Sequence, residues 1–177
     1  MAYEKRIDLK NYVPQSREQI SDGISENIEA YIKSFDAVFN LAIQSYEKQQ
    51  EENQKTDLRY VYICFLRSSI SQKLPLLRIN LYNEAEFGDM EDCYVDWDVD
   101  FSKQLYSRLY KVREALREDI INNDLAEKYW YEESELFFES LKIHLPKIVD
   151  AHRQGLPQNV QWYYGEYFDR CELISWE

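Results

Sequence analysis

Between residues 24 and 46, apolar side chains recur every three or four positions: Ile24, Ile28, Tyr31, Phe35, Val38, Ala42 and Tyr46. That spacing puts them on one stripe of a helix of about six turns. A stripe of this width has to be buried against another layer, so the chain is committed to a fold in which this helix covers something. Ser16 followed by Gln19 reads as a capping box that opens the helix, Gly23 weakens its first turns, and the polar run 49–55 ends it.

Elsewhere the period changes. Over residues 93–101, Cys93, Val95, Trp97, Val99 and Phe101 share one face, while Tyr94, Asp96, Asp98 and Asp100 share the other. This is the pattern of a strand with one dry side. Residues 76–82 alternate too and read as a second strand. Residues 58–73 are apolar almost without a break from Tyr60 to Leu66, which fits a buried helix or a buried strand. Asp57 as a cap, the polar tail 68–73 and the stop at Pro75 favour helix. Leu105, Leu109, Val112, Leu116 and Ile120 form another helical stripe. A further helix carries Tyr129, Leu136, Phe137, Leu141, Leu145 and Ile148; Asp124 with Glu127 opens it, Pro146 should kink it, and Gly155 and Pro157 end it. Residues 160–176 are aromatic and read as extended, with an interruption at Gly165. The expected architecture is α+β, mainly helical, with about four helices and a small antiparallel sheet in one domain spanning 1–177.

Charge narrows the function classes. The net charge is −12 and is unevenly laid out: residues 1–78 are neutral, 79–102 carry −8, 103–117 carry +4 and 118–177 carry −8. Nucleic-acid backbones require clustered Lys and Arg, and the one basic stretch directly follows an acidic one, so no nucleic-acid partner is expected. The basic stretch 103–117 is expected to fold back and neutralise part of 79–102. No apolar run approaches the roughly 20 residues of a bilayer span, and residues 1–15 lack the apolar core of a secretory signal. Cys64, Cys93 and Cys171 are odd in number and far apart, which suggests neither a disulfide framework nor a zinc site and makes a reducing cytoplasm the expected location.

Three groups of residues are candidates for a site. Asp96, Asp98 and Asp100 stand about 7 Å apart on one strand face, where a divalent cation would relieve their repulsion. An EF-hand loop beginning at Asp96 fails, with Phe101 at its sixth position and Ser107 at its twelfth. A haloacid-dehalogenase-like DxDx(T/V) nucleophile motif has Asp100 at its Thr/Val position, and a glycosyltransferase-like DxD at Asp96 and Asp98 has no nucleotide-binding βαβ unit before it. The ordinary meaning of such a ladder is a solvated strand face that discourages edge pairing. Glu132, Glu135 and Glu139 share a helix face and form an acidic binding stripe or simply a solvated face. Trp162, Tyr163 and Tyr164, with Tyr167 and Phe168, suit either a recognition surface or a core; five aromatics in seven residues cannot all face inward on a period of two.

Catalytic signatures are missing. His144 and His152 belong to no metal or base motif, and the sequence holds no P-loop, GxGxxG or GxSxG. The expectation leans away from an enzyme and towards a soluble acidic protein-interaction protein that docks a basic protein. In gross character the chain resembles the small acidic immunity proteins that neutralise basic bacterial toxins, a likeness of composition that implies an inhibitory role. The alternatives are a divalent-metal-dependent enzyme or metal-binding module built on the Asp ladder, and a helical protein that self-associates through residues 118–152.

Overall fold

The computed structural model describes residues 9–72, 76–88, 92–99 and 123–176, with side chains from Ser16 in the first segment and from Trp130 in the last. Within them lies a five-stranded mixed sheet with helices packed on one face. The elements are α1 (Leu9–Glu26), α2 (Ile28–Glu51), β1 (Tyr60–Phe65), α3 (Arg67–Ser71), β2 (Leu77–Tyr82), β3 (Tyr94–Trp97), α4 (Asn123–Gly155), β4 (Gln161–Glu166) and β5 (Cys171–Leu173). A single 3₁₀ turn spans Glu86–Gly88.

The long apolar stripe is real but is carried by two helices. The break falls at Asn27, whose side-chain Nδ2 donates to the Gly23 carbonyl and whose own amide reaches the Gly23 and Ile24 carbonyls. Asn competes for backbone partners in this way, so it interrupts a helix more readily than an apolar residue does. The buried stripe runs across the break: Ile20, Ile24, Ile28, Tyr31, Phe35, Phe39, Ala42 and Tyr46. Phe39 takes the place expected of Val38, which is only partly buried. Ser16 does not cap this unit. α1 begins at Leu9, and Ser16 lies buried within it.

Residues 60–65 form a strand, not a helix. Β-branched and aromatic residues dominate YVYICF, and β1 is the central strand, covered on both faces, so its apolar run shows no alternation. Helix follows only as the short α3. The strand order is β3-β2-β1-β4-β5. β1 pairs antiparallel with β2, Tyr60 opposite Tyr82 and Phe65 opposite Leu77, and β2 pairs antiparallel with β3. β1 pairs parallel with β4, Tyr60 opposite Gln161 and Phe65 opposite Glu166, which makes the sheet mixed where an antiparallel one was expected. The chain returns to β4 only after the long helix α4, and a crossover of that kind delivers a parallel neighbour. A turn at 167–170 then brings β5 back antiparallel.

The main core lies between the helices and one sheet face. Phe35, Phe39, Phe137, Phe138, Leu141 and Leu145 meet Val61, Ile63, Leu77, Ile79, Trp97, Trp162 and Tyr164. Two polar tips inside it are satisfied from the helices: the Trp97 indole donates to Ser34 Oγ at 3.1 Å and the Tyr164 hydroxyl to the Phe138 carbonyl at 2.8 Å. α4 is helical through Pro146. No helix among the described residues is long and apolar enough to cross a membrane. The expected helix over 105–120 and the basic stretch 103–117 lie outside the described residues.

Candidate functional site

Two surfaces gather chemistry, one on each side of the β4–β5 edge. On the helical side, α4 presents Glu135, Glu139 and Lys142 at helical spacing toward Glu166, Asp169, Arg170 and Glu172 of the β4–β5 hairpin. With Arg67 from α3 they line an open cleft of about 350 Å³. Its carboxylates are interlocked with cations. Arg67 holds Glu166 with a hydrogen bond from Nη2 and an ion-pair contact from Nε, each 2.8 Å, Lys142 meets Glu172 at 2.5 Å, and Arg17 of α1 reaches Glu139 at 2.7 Å. Glu166, and more weakly Glu135 and Asp169, raise the Arg67 pKa, while the hydrogen bond from Lys142 lowers that of Glu172. Most of these groups are well exposed, so the pairs contribute little to stability. Five carboxylates against three cations leave the lining negative.

Ile143 and Leu173, next in sequence to Lys142 and Glu172, are bare at 70% and 58% exposure, but neither lines the cleft, and Leu173, opposite Tyr163, is on the tyrosine-layer face of β5. The cleft therefore offers an acidic lining that also includes Phe65 and Phe138. Of the acidic stripe read from the sequence, Glu135 and Glu139 line it; Glu132 is half-buried and does not. Glu133, adjacent in sequence, is wholly buried.

The opposite sheet face is a tyrosine layer. Tyr62 stacks on Tyr163 with centroids 4.7 Å apart and planes 9° apart, and Tyr60, Tyr82 and Phe87 surround them. The Tyr62 hydroxyl donates to the Glu86 carboxylate, and burial together with that carboxylate raises its pKa. Phe168, 76% exposed, packs at the layer's rim from a left-handed backbone (φ 60°), a conformation that few residues other than glycine adopt. In the same layer the Cys64 and Cys171 sulfurs are 3.7 Å apart. The sequence reading missed this pair, because 107 residues separate the two and no spacing motif marks them. The one available signal was Gly165, since a glycine inside a strand often marks a close backbone approach.

The remaining candidates are dispersed. Trp162 and Tyr164 are 2% and 3% exposed and belong to the core beneath the helices, Tyr164 also reaching the cleft lining, while Tyr163 faces the tyrosine layer. Asp96 is gripped by Arg78 through a two-point fork of 2.7 and 3.1 Å, with the guanidinium also 4.0 Å from the Tyr94 ring centroid. Asp98 is exposed, and Asp100 lies outside the described residues. Among the described residues no three His, Cys, Asp or Glu side chains are placed to hold a metal ion.

The histidines are separated as well: His152 pairs with Asp36 at 2.7 Å, and His144 Nε2 lies 3.1 Å from Ser21 Oγ. Burial first, and Lys147 second, lower the His144 pKa. The Ser21–His144 contact sits between two helices, and a nucleophile there would also need oxyanion donors and an orienting group for the ring. No family model, no curated protein and no solved structure matches the chain.

Proposed function

We propose that the chain is a protein-interaction module that docks a basic, amphipathic protein segment in the cleft between α4 and the β4–β5 hairpin. The observation that carries this reading is the surplus of carboxylates over cations in one open cleft whose lining also includes the aromatic Phe65 and Phe138. Arg or Lys side chains of a partner would exchange with Arg67 and Lys142 for the same carboxylates, at little cost because exposed pairs are weak. The net charge of −12 would speed the encounter, and apolar contact with Phe65 in the lining would lengthen the residence time. Inhibition of a basic protein, the role suggested by the likeness to immunity proteins, is the most specific form of this reading.

The test uses a fluorescent peptide that alternates Arg and Leu, with a Glu and Leu peptide as control, and follows anisotropy from low to high salt. The basic peptide should bind, and binding should fall at least tenfold when the salt is raised and again in an E135K/E139K variant. Binding indifferent to salt and to that reversal overturns the proposal, as does equal binding of the acidic control.

A further inference from the structure

Gly165 stands between two thiols. Cys64 of β1 is its register partner on one side and Cys171 of β5 its partner on the other. A side chain at the middle position would normally separate residues on strands two apart, and here there is none. A Cβ at 165 would meet the Arg170 carbonyl oxygen at 2.1 Å and the Cys171 Cα at 2.7 Å, so β5 folds in over bare backbone and brings the sulfurs to 3.7 Å.

The two thiols have different surroundings. Cys64 is 2% exposed, whereas Cys171 is half-buried and its sulfur also contacts the Glu166 carbonyl at 3.5 Å. The hydrogen bond from Cys64 lowers the Cys171 pKa, against burial and Asp169, which raise it; the same hydrogen bond and burial raise that of Cys64. A reachable, more acidic thiol backed by a buried one divides the roles of attacking and resolving cysteine. Cys93 is on the other side of the sheet, donating to the Ala42 carbonyl, and stands apart from this arrangement.

We propose that Cys64 and Cys171 form a redox dithiol that a hydroperoxide converts to a disulfide, tying β5 to β1 across β4. The Cys171 thiolate attacks one peroxide oxygen; the O–O bond breaks, the sulfur becomes a sulfenic acid, and the departing hydroxide takes up a proton to give water. Cys64 Sγ then attacks the sulfenic sulfur. The S–O bond breaks, the S–S bond forms, and the hydroxyl leaves with the Cys64 proton as a second water. Two thiols lose two electrons and two protons, and hydrogen peroxide is reduced to water. The sulfurs must close from 3.7 Å to about 2.05 Å. β5 is a three-residue edge strand after a turn, so it is the side free to move. The bond would lie on the tyrosine-layer face of β5, while Glu172, the next residue, lines the acidic cleft on the other side.

The reduced full chain is treated with hydrogen peroxide, remaining thiols are alkylated, and peptides are mapped without reduction. The expected map shows Cys64 linked to Cys171, Cys93 alkylated, and full reversal by dithiothreitol. In C64S the reaction should stop at Cys171 sulfenic acid, which dimedone traps. A wild-type map in which Cys64 and Cys171 remain alkylated thiols overturns the proposal whatever the variants do, as does one that links Cys93 equally. Dimedone labelling of Cys64 in C171S as fast as that of Cys171 in C64S overturns the division of roles.

Discussion

The Phe39 ring lies on the Trp162 indole, with centroids 5.2 Å apart and planes 28° apart, and so joins the middle of α2 to β4. Phe39 also stacks on Phe35 at 5.2 Å, and Phe35 meets Trp97 of β3 edge-on at 5.1 Å. One short stretch of helix thereby clamps strands from both halves of the sheet, β3 to one side of the central strand and β4 to the other.

Phe39→Ala should therefore destabilise the whole sheet and not one edge of it. Emptying a fully buried ring costs about 3–5 kcal/mol, from lost transfer free energy and from the cavity left behind. Urea denaturation followed by far-UV and near-UV dichroism should show one shifted midpoint by both probes. Two separated transitions, or a loss under about 1 kcal/mol, would mean that α2 does not hold the strands together in this way.

The fold was legible in the sequence where one face of an element is dry and the other wet. The helical stripe and the alternation of Cys93, Val95, Trp97 and Val99 against Tyr94, Asp96 and Asp98 both survive in the structure, as buried and exposed sides. β1 was illegible for the opposite reason: Val61 and Ile63 face the helices while Tyr62 and Cys64 face the tyrosine layer, and both sets are buried. The parallel pairing of β1 with β4 follows from where α4 leaves the chain, which no local pattern encodes. The cleft was half legible. Helical spacing placed Glu135 and Glu139 together, but Arg17, Arg67 and Glu172 reach them from elements distant in sequence. The thiol pair was invisible, because it depends on strand order and on the missing side chain of Gly165.

His144 gives the fold a pH dependence of known sign. Its pKa in the fold is lowered, chiefly by burial, below that of the unfolded chain, about 6.5. Above that value the ring is neutral in both states and contributes no pH slope. As pH falls through it, the unfolded chain takes up a proton that the folded chain refuses, so stability declines, and the decline is complete once the pH is below the folded value. His144→Gln keeps a polar partner for Ser21 and removes this proton. Between pH 7.5 and 5.5 the wild-type chain should lose more unfolding free energy in urea than the variant, the difference cancelling the contribution of carboxylates common to both. Identical losses in the two proteins would show that His144 titrates in the fold as it does in the unfolded chain.

Gly165→Ala separates the edge of the sheet from its body. The added methyl would press on the Arg170 carbonyl and the Cys171 Cα, backbone atoms that cannot rotate away as a flexible side chain would. Strain of this kind costs about 1–3 kcal/mol, and the cheapest relief is for β5 to lift off β4. The Ile174 amide, which donates to the Trp162 carbonyl at 2.8 Å, should then lose hydrogen-exchange protection by tenfold or more. Amides between β1 and β2, such as those of the Tyr62–Asn80 pair, should keep theirs apart from any change in global stability. The same lift would part Cys171 from Cys64, so the peroxide-treated variant should carry alkylated thiols at both positions. Full protection of Ile174 together with an intact cross-link would mean that β5 closes over β4 without needing the glycine, and the account of how the sulfurs meet would fail with it.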